Sequence, residues 1–217
     1  MPETSEPRAL YDTHSAAGAM LGRQLYKRCP PPVVLLGITP TGVEIAAHAS
    51  KAMGCKFDVV VAAHVRLEGK EAIGAMVEDA DAALSSDFQP GFGLMEVLES
   101  AIDRARRVIK KERLLFRGQR PLSSVVGIHV VVIDGHVTLP WKMIAAAKAV
   151  EEMGATKVWI AAAACTQQVR EAVKVSRHEF ICPSVLMDAA GHPRPFGDVA
   201  DPIEERLKSI VIAREAA

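Results

Sequence analysis

The chain has 217 residues, 49% of them hydrophobic and 24% charged, which suits one globular domain with a real core, or such a domain with a small appendage. Its 26 Lys and Arg balance 26 Asp and Glu, so no net field draws it to nucleic acid or an anionic membrane, and a charge-based partner must be met by a local patch. No apolar run approaches the roughly 20 residues of a membrane span, and the opening MPETSEPRALYDTH lacks the basic-then-apolar order of a secretion signal, so a cytoplasmic location is predicted.

Residues 1–12 are polar, carry two prolines and predict a disordered leader, after which Ala16, Met20, Leu21 and Leu25 recur at helical spacing until Cys29-Pro30-Pro31-Pro32. VVLLGI, from Val33 to Ile38, is the unbroken apolar run of a strand covered on both faces. A helix from Val43 to Met53, stopped at Gly54, and a buried strand from Phe57 to Ala63 complete a βαβ unit, with Ala72 to Val77 predicted as a third strand beside it. Six acidic residues and no basic one lie between Glu78 and Glu99, where Phe88 and Phe92 flank Gly91 as candidate partner contacts. From Ala101 to Arg120 the sign inverts: eight basic residues cover the outside of a long amphipathic helix whose inner stripe runs through Leu94, Leu98, Ile102, Ala105 and Ile109. A solvated face is the ordinary reading of that cationic surface, and an anion or partner surface the alternative.

IHVVVI, from Ile128 to Ile133, is the central strand, followed by Asp134-Gly135-His136 as a turn signal, a helix from Trp141 to Met153, a strand from Lys157 to Ala163, a strand from Glu179 to Cys182 and a terminal helix near Pro202. This alternation predicts an α/β fold with an open, mostly parallel sheet flanked by helices, whose ligands lie beyond the carboxyl ends of the strands. Cys29, Cys55, Cys165 and Cys182 form no CxxC pair and predict small buried apolar residues rather than a zinc site or a disulfide framework. His136 and His64 have no third ligand at recognisable spacing, so no metal site is predicted.

An acid at the end of a buried strand, a short loop and a helix N-terminus form a workable cradle for a phosphorylated sugar. VVVIDGHVTLPWKM, from Val130 to Met143, has that layout and resembles the PRPP-binding segment of the type I phosphoribosyltransferases. YDTHSAAGAML (Tyr11 to Leu21), TPTGVEIAAHASKAMGCKFDVVVA (Thr39 to Ala62), EAIGAM (Glu71 to Met76) and FRGQRP (Phe116 to Pro121) are similar, in order, to further segments of a bacterial branch known only as predicted phosphoribosyltransferases. The resemblance implies one domain over residues 13–217 with a small hood around 64–125, and a homodimer. It also implies displacement of pyrophosphate from Mg-PRPP by a nitrogen base, with Asp134 in the catalytic position. A pyrophosphate loop falls at Thr39, Pro40, Thr41 and Gly42, with His64 near the leaving group. The phosphate-binding segment runs from Asp134 through Gly135, His136, Val137, Thr138, Leu139, Pro140 and Trp141 to Lys142.

The departures from that pattern fall on groups that would do chemistry. Gly135 replaces the second of two adjacent acids, and Leu139-Pro140-Trp141-Lys142 replaces a loop rich in Thr and Gly. Thr39-Pro40-Thr41-Gly42 lacks the Arg of a Pro-Arg-Gly-Gly run, Thr13-His14 stands for an Asp-Arg pair, and Ala63-His64 for an Arg-Lys pair. Lys142 is a candidate phosphate contact or a solvated helix residue, and Trp141 a base-stacking or a packing residue. Asp134 holds ribose hydroxyls or caps the turn. The leading expectation is a phosphoribosyltransferase-like protein with an eroded PRPP site that binds a phosphate or nucleotide, or acts in regulation or assembly. Magnesium enters only if PRPP does. The alternative is an active phosphoribosyltransferase using Asp134, His136, Lys142 and His64 in altered roles. A dinucleotide-dependent oxidoreductase is disfavoured because no GxGxxG follows a predicted strand.

Overall fold

The computed structural model describes residues 9–89, 91, 93–187, 195–197 and 204–215. Helix α1 (His14–Tyr26) starts at Thr13, whose hydroxyl accepts from the Ala16 N–H. Strand β1 (Val33–Gly37) leads into α2 (Pro40–Met53), which begins at the Thr39 cap with Pro40 in its first turn and stops at Gly54, held at φ 67°. Strands β2 (Lys56–Val59), β3 (Ala62–Arg66), β4 (Ala72–Val77) and β5 (Ala83–Leu84) precede the long α3 (Met95–Arg117). The second half runs β6 (His129–Val137), α4 (Trp141–Glu152), β7 (Lys157–Thr166), α5 (Gln167–Val175), β8 (Glu179–Ile181), β9 (Ser184–Leu186) and α6 (Glu204–Glu215). Among the described residues no helix is long and apolar enough to cross a membrane.

The main sheet is parallel, in the order β2-β1-β6-β7-β8, with β9 following β8 along the same edge of β7. Residues alternate between its faces. Leu35, Val131, Ile133, Trp159 and Ala161 belong to the apolar layer on the α1 and α2 side, whereas Val34, Leu36, Val130, Val132 and Ile160 belong to the layer with α4 and α5. The second sheet, β3-β4-β5, is antiparallel and forms the hood. Ala63 and Val65 pack with α3, and Ala62, Ala75 and Val77 with α4, so the hood sheet lies between these two helices.

Several sequence expectations change. The stretch read as one strand from Phe57 to Ala63 is split after Val59, with β2 in the main sheet and β3 in the hood, and Ala72 to Val77 pairs with β3 rather than extending the main sheet. Buried ion pairs hold the division. Arg117 donates to Glu78 and to the Val59 carbonyl (3.0 Å), and Glu78 accepts from the Val61 N–H (2.9 Å). Asp58 accepts from Arg120 (2.7 Å) and from the Ser123 hydroxyl (2.6 Å). FRGQRP is therefore a double clamp between hood and sheet, because the fork geometry of each guanidinium satisfies several buried oxygens at once.

The leader assignment also shortens. Tyr11 is buried, and its hydroxyl donates to the Ala163 carbonyl (3.0 Å) and meets Ser184 (3.0 Å). Residues 1–8 lie outside the described residues, as does Phe92. Phe88 packs on the core instead of standing exposed. Of the four free cysteines, Cys29 and Cys165 are buried and Cys55 and Cys182 half-buried.

Candidate functional site

The largest departure from the sequence reading lies where the site was expected. Asp134-Gly135-His136 is not a turn. β6 continues to Val137, with Asp134, His136 and Val137 in register with Ala162, Ala164 and Cys165 of β7. The backbone there is committed to a ladder that a phosphate-wrapping loop would have to give up. Only Thr138, Leu139 and Pro140 separate β6 from α4, whose Pro140 cap supplies no side-chain hydrogen bond.

Asp134 is 5% exposed, and its Oδ1 accepts from the Thr39 hydroxyl and from the Gly135 N–H (2.7 Å). Thr39 Oγ1 in turn accepts from the Gly42 N–H (3.0 Å). The carboxylate thus closes the N-terminus of α2, a place where a negative group is stabilised by unpaired amides and the helix dipole. Burial pushes the Asp134 carboxyl above the ordinary carboxylate range, while Lys142, Thr39, the Gly135 N–H and His136 pull it back. The glycines explain the fit. A Cβ on Gly42 would stand 2.6 Å from the Ile133 carbonyl, and one on Gly135 would strike the Thr41 side chain, so the missing second acid is a position packed against the first turn of α2.

Three half-buried groups on neighbouring elements, His64, His136 and Lys142, are the remaining polar candidates. His64 on β3 has a buried Nδ1 without a hydrogen-bond partner, as does Nε2 of His136. Burial first, then Lys142 and Arg66, lower His64 to about 4, against the Gly74 carbonyl. Burial likewise lowers His136, opposed by Asp134. Both rings are neutral near pH 7, each able to present one N–H and one acceptor. Lys142, in the first turn of α4, is within electrostatic reach of Asp134, His64 and Glu112. Glu112 was missed by the sequence reading; burial raises its carboxyl, opposed by Lys142 and Lys111. The signal was present, because Glu112 falls two turns after Ala105 on the apolar stripe of α3.

The remaining expected residues separate. Trp141 packs on the α4 side of the sheet, Pro140 and Val137 are buried and Thr138 is exposed. Pro40 and Thr41 belong to the first turn of α2. His14, in place of an expected arginine, is buried against Glu44 (3.0 Å) and Phe196, and Thr13 is spent as a helix cap. Lys142 is thus within electrostatic reach of two carboxyls, Asp134 and Glu112, and of the His64 ring, a set of polar groups suited to an anionic ligand with a polar body.

A parallel sheet crossed by α1, α2, α4 and α5, with a hood inserted after β2, is the fold of the type I phosphoribosyltransferases, and the resemblance in the sequence holds at that level. No protein-family model matches the chain. Among solved structures it is similar to TT1426 from Thermus thermophilus, at 27% identity over 94% of this chain and 98% of that one, with a TM-score of 0.77. Two more distant likenesses concern the fold alone. One is a hypoxanthine phosphoribosyltransferase from Staphylococcus aureus (11% identity, 81% of this chain and 73% of that one, TM-score 0.51). The other is a hypothetical protein from Neisseria gonorrhoeae with bound ppGpp (11% identity, 97% and 99%, TM-score 0.52).

Proposed function

We propose that this protein is a phosphoribosyltransferase-fold binding protein that takes a phosphorylated ligand, a nucleotide or PRPP, beside Lys142 without transferring its ribosyl group. The observation that carries this reading is the fate of Asp134: buried, bonded to Thr39 and Gly135, and closing α2 rather than facing a ligand. The continuation of β6 to Val137 supports it by withdrawing backbone from the loop that would hold a 5'-phosphate. A fold neighbour with bound ppGpp agrees with a phosphorylated ligand.

Transfer from PRPP relies on charge to stabilise departing pyrophosphate. In three segments the cationic positions implied by the resemblance are replaced, at His14, in the run from Thr39 to Gly42 and at Ala63-His64. At about 1.5–3 kcal/mol for each lost charged hydrogen bond, the barrier rises enough to slow the reaction by roughly 10³-fold or more. Nor does the donor set fit a protein-held magnesium ion. Gly135 supplies no second carboxylate, Asp134 is engaged, and among the described residues no group of three His, Cys, Asp or Glu could hold a metal.

What the chain's own residues do is bind and orient. Lys142 attracts the phosphate at the first turn of α4, whose cap makes no side-chain hydrogen bond, and His64 and His136 each carry a buried ring nitrogen that no described residue bonds. Calorimetry with PRPP plus magnesium and with nucleoside monophosphates, beside an assay of PRPP-dependent pyrophosphate release, tests this. Micromolar binding lost in Lys142→Ala, with no release over common bases, is expected. Turnover abolished by Asp134→Asn would overturn the reading in favour of an active transferase, and absence of binding would refute it outright.

A further inference from the structure

α1 and α2 approach so closely that two glycines of α1 have no room for a side chain. A Cβ on Gly18 would stand 2.6 Å from the His48 Cβ, and one on Gly22 would stand 2.8 Å from the Ala49 carbonyl and 2.9 Å from the Ala52 Cβ. Beyond Gly22, with only Ala52 on the α2 side, a crevice of about 450 Å³ opens, lined by Met20, Arg23, Gln24, Tyr26, Lys27 and Ala52. Met20, Arg23, Gln24 and Lys27 follow the spacing of a single helix face and so form one continuous wall. α2 starts beside Asp134 and runs for 14 residues, about 20 Å, before reaching the crevice, which therefore lies at the opposite edge of the sheet from that carboxylate.

The chemistry of the crevice is one-sided. Arg23 and Lys27 are exposed, as is Lys51 beside Ala52, and among the described residues none of the three makes an ion pair or a side-chain hydrogen bond. α1 contains no acidic residue, and Glu44, the one acid of α2, is buried against His14. Next to these cations the Tyr26 ring is 69% exposed and Met20 36%. Cations suit the last turn of a helix, but the helix dipole does not call for an aromatic ring and a thioether left open to solvent beside them. Paired cations without an acid select an anion, whereas Tyr26 and Met20 select a flat apolar body that packs on a ring face and against sulfur. The volume falls within the range of about 300–1,000 Å³ typical of small-molecule sites. We infer that this crevice is a second ligand site, independent of the phosphate-binding reading above, for a small aromatic carboxylate. Its ring lies against Tyr26 and Met20 and its carboxylate between Arg23 and Lys27. The guanidinium fork matches both carboxylate oxygens, and the Gln24 amide supplies a further donor.

The test is fluorescence titration of the full chain with 2-naphthoate as the probe, beside its neutral counterpart 2-naphthylmethanol, with thermal unfolding confirming that each variant is folded. One charge-assisted hydrogen bond is worth about ten-fold in affinity or more. Naphthoate is therefore expected to bind saturably at a single site, and more tightly than naphthylmethanol by about that factor. Arg23→Gln is expected to erase the preference by weakening naphthoate alone, whereas Tyr26→Ser weakens both probes. Lys142→Ala, at the opposite edge of the sheet, is expected to leave naphthoate binding unaltered, which separates this site from the proposed phosphate site. Naphthoate bound no better than naphthylmethanol, binding indifferent to Arg23→Gln or Tyr26→Ser, binding lost in Lys142→Ala, or no saturable binding at all would overturn the inference.

Discussion

Gly135, where the family resemblance implies a second acid, offers the sharpest steric test. A Cβ added there would collide with the Thr41 methyl and lie 2.9 Å from Thr41 Cβ, while Ile45 Cδ1 stands 3.5 Å away. Thr41 is β-branched and sits in the first turn of α2, so neither backbone nor side chain can yield cheaply. Overpacking of this kind costs about 1–3 kcal/mol. For a chain of this size, at about 2–4 °C per kcal/mol, Gly135→Ala is expected to lower the melting temperature by about 2–12 °C. Gly135→Asp, which restores the family's second acid, is expected to cost more because it also buries a charge. The assay is urea and thermal unfolding of Gly135→Ala, Thr41→Gly and the double variant. Thr41→Gly carries its own cost from helix propensity and lost contacts, but the cycle cancels that cost and leaves the collision. A coupling of about 1 kcal/mol or more, with the double variant more stable than additivity allows, is expected. Additive effects, or a Gly135→Ala protein as stable as the wild type, would refute the steric account.

Arg117→Ala leaves Glu78 buried without its partner and should cost about 3–5 kcal/mol in chemical denaturation, whereas Arg117→Met with Glu78→Gln should recover most of it. His64, held near 4 in the folded chain against an ordinary value near 6.5, binds fewer protons folded than unfolded in that window. Its contribution to stability is complete above about pH 6.5 and falls as pH drops toward 4, and unfolding titrations of His64→Asn should show a shallower slope across that range. Asp134 acts with the opposite sign: its raised carboxyl makes the folded chain the tighter proton binder, so its contribution declines as pH rises above the ordinary carboxylate value. Asp134→Asn keeps an acceptor for Thr39 and Gly135, and should be at least as stable as the wild type at neutral pH, with the difference vanishing near pH 3. Tyr11→Phe removes one buried hydrogen bond to Ala163 and should lower stability by about 1 kcal/mol by the same measurement.

The main sheet was legible because its strands are covered on both faces. Val33 to Gly37 and Val130 to Ile133 are unbroken apolar runs, and only a parallel sheet between helices buries both sides of such a strand. The hood was less so. Phe57 to Ala63 reads as one apolar strand, and its division depends on Glu78 and Arg117, which reach residues 59 and 61 from far along the chain. A local pattern carries no record of a partner 58 residues away. The start of α2 at Pro40 rather than Val43 was visible in principle, since Thr39 is a good cap and proline suits the first helical turn.

The site was legible in its residues and illegible in its geometry, for one physical reason. Asp134-Gly135 carries a strong turn signal when read alone, because Asp and Gly relieve backbone strain at tight turns. Here the glycine serves another need, the close approach of Thr41, and the aspartate is held extended by the N-terminus of α2. Once Asp134 closes α2, β6 can run on because β7 continues beside it to Thr166, and the Gly135 N–H is met by the Asp134 carboxylate. Lys142, His64, His136 and Glu112 then retain what the neighbouring elements did not consume. Each sits half-buried with unfilled hydrogen-bonding capacity. A fold under selection for stability alone would tend to pair or replace such groups, which is why the proposed ligand contacts rest on Lys142, His64 and His136.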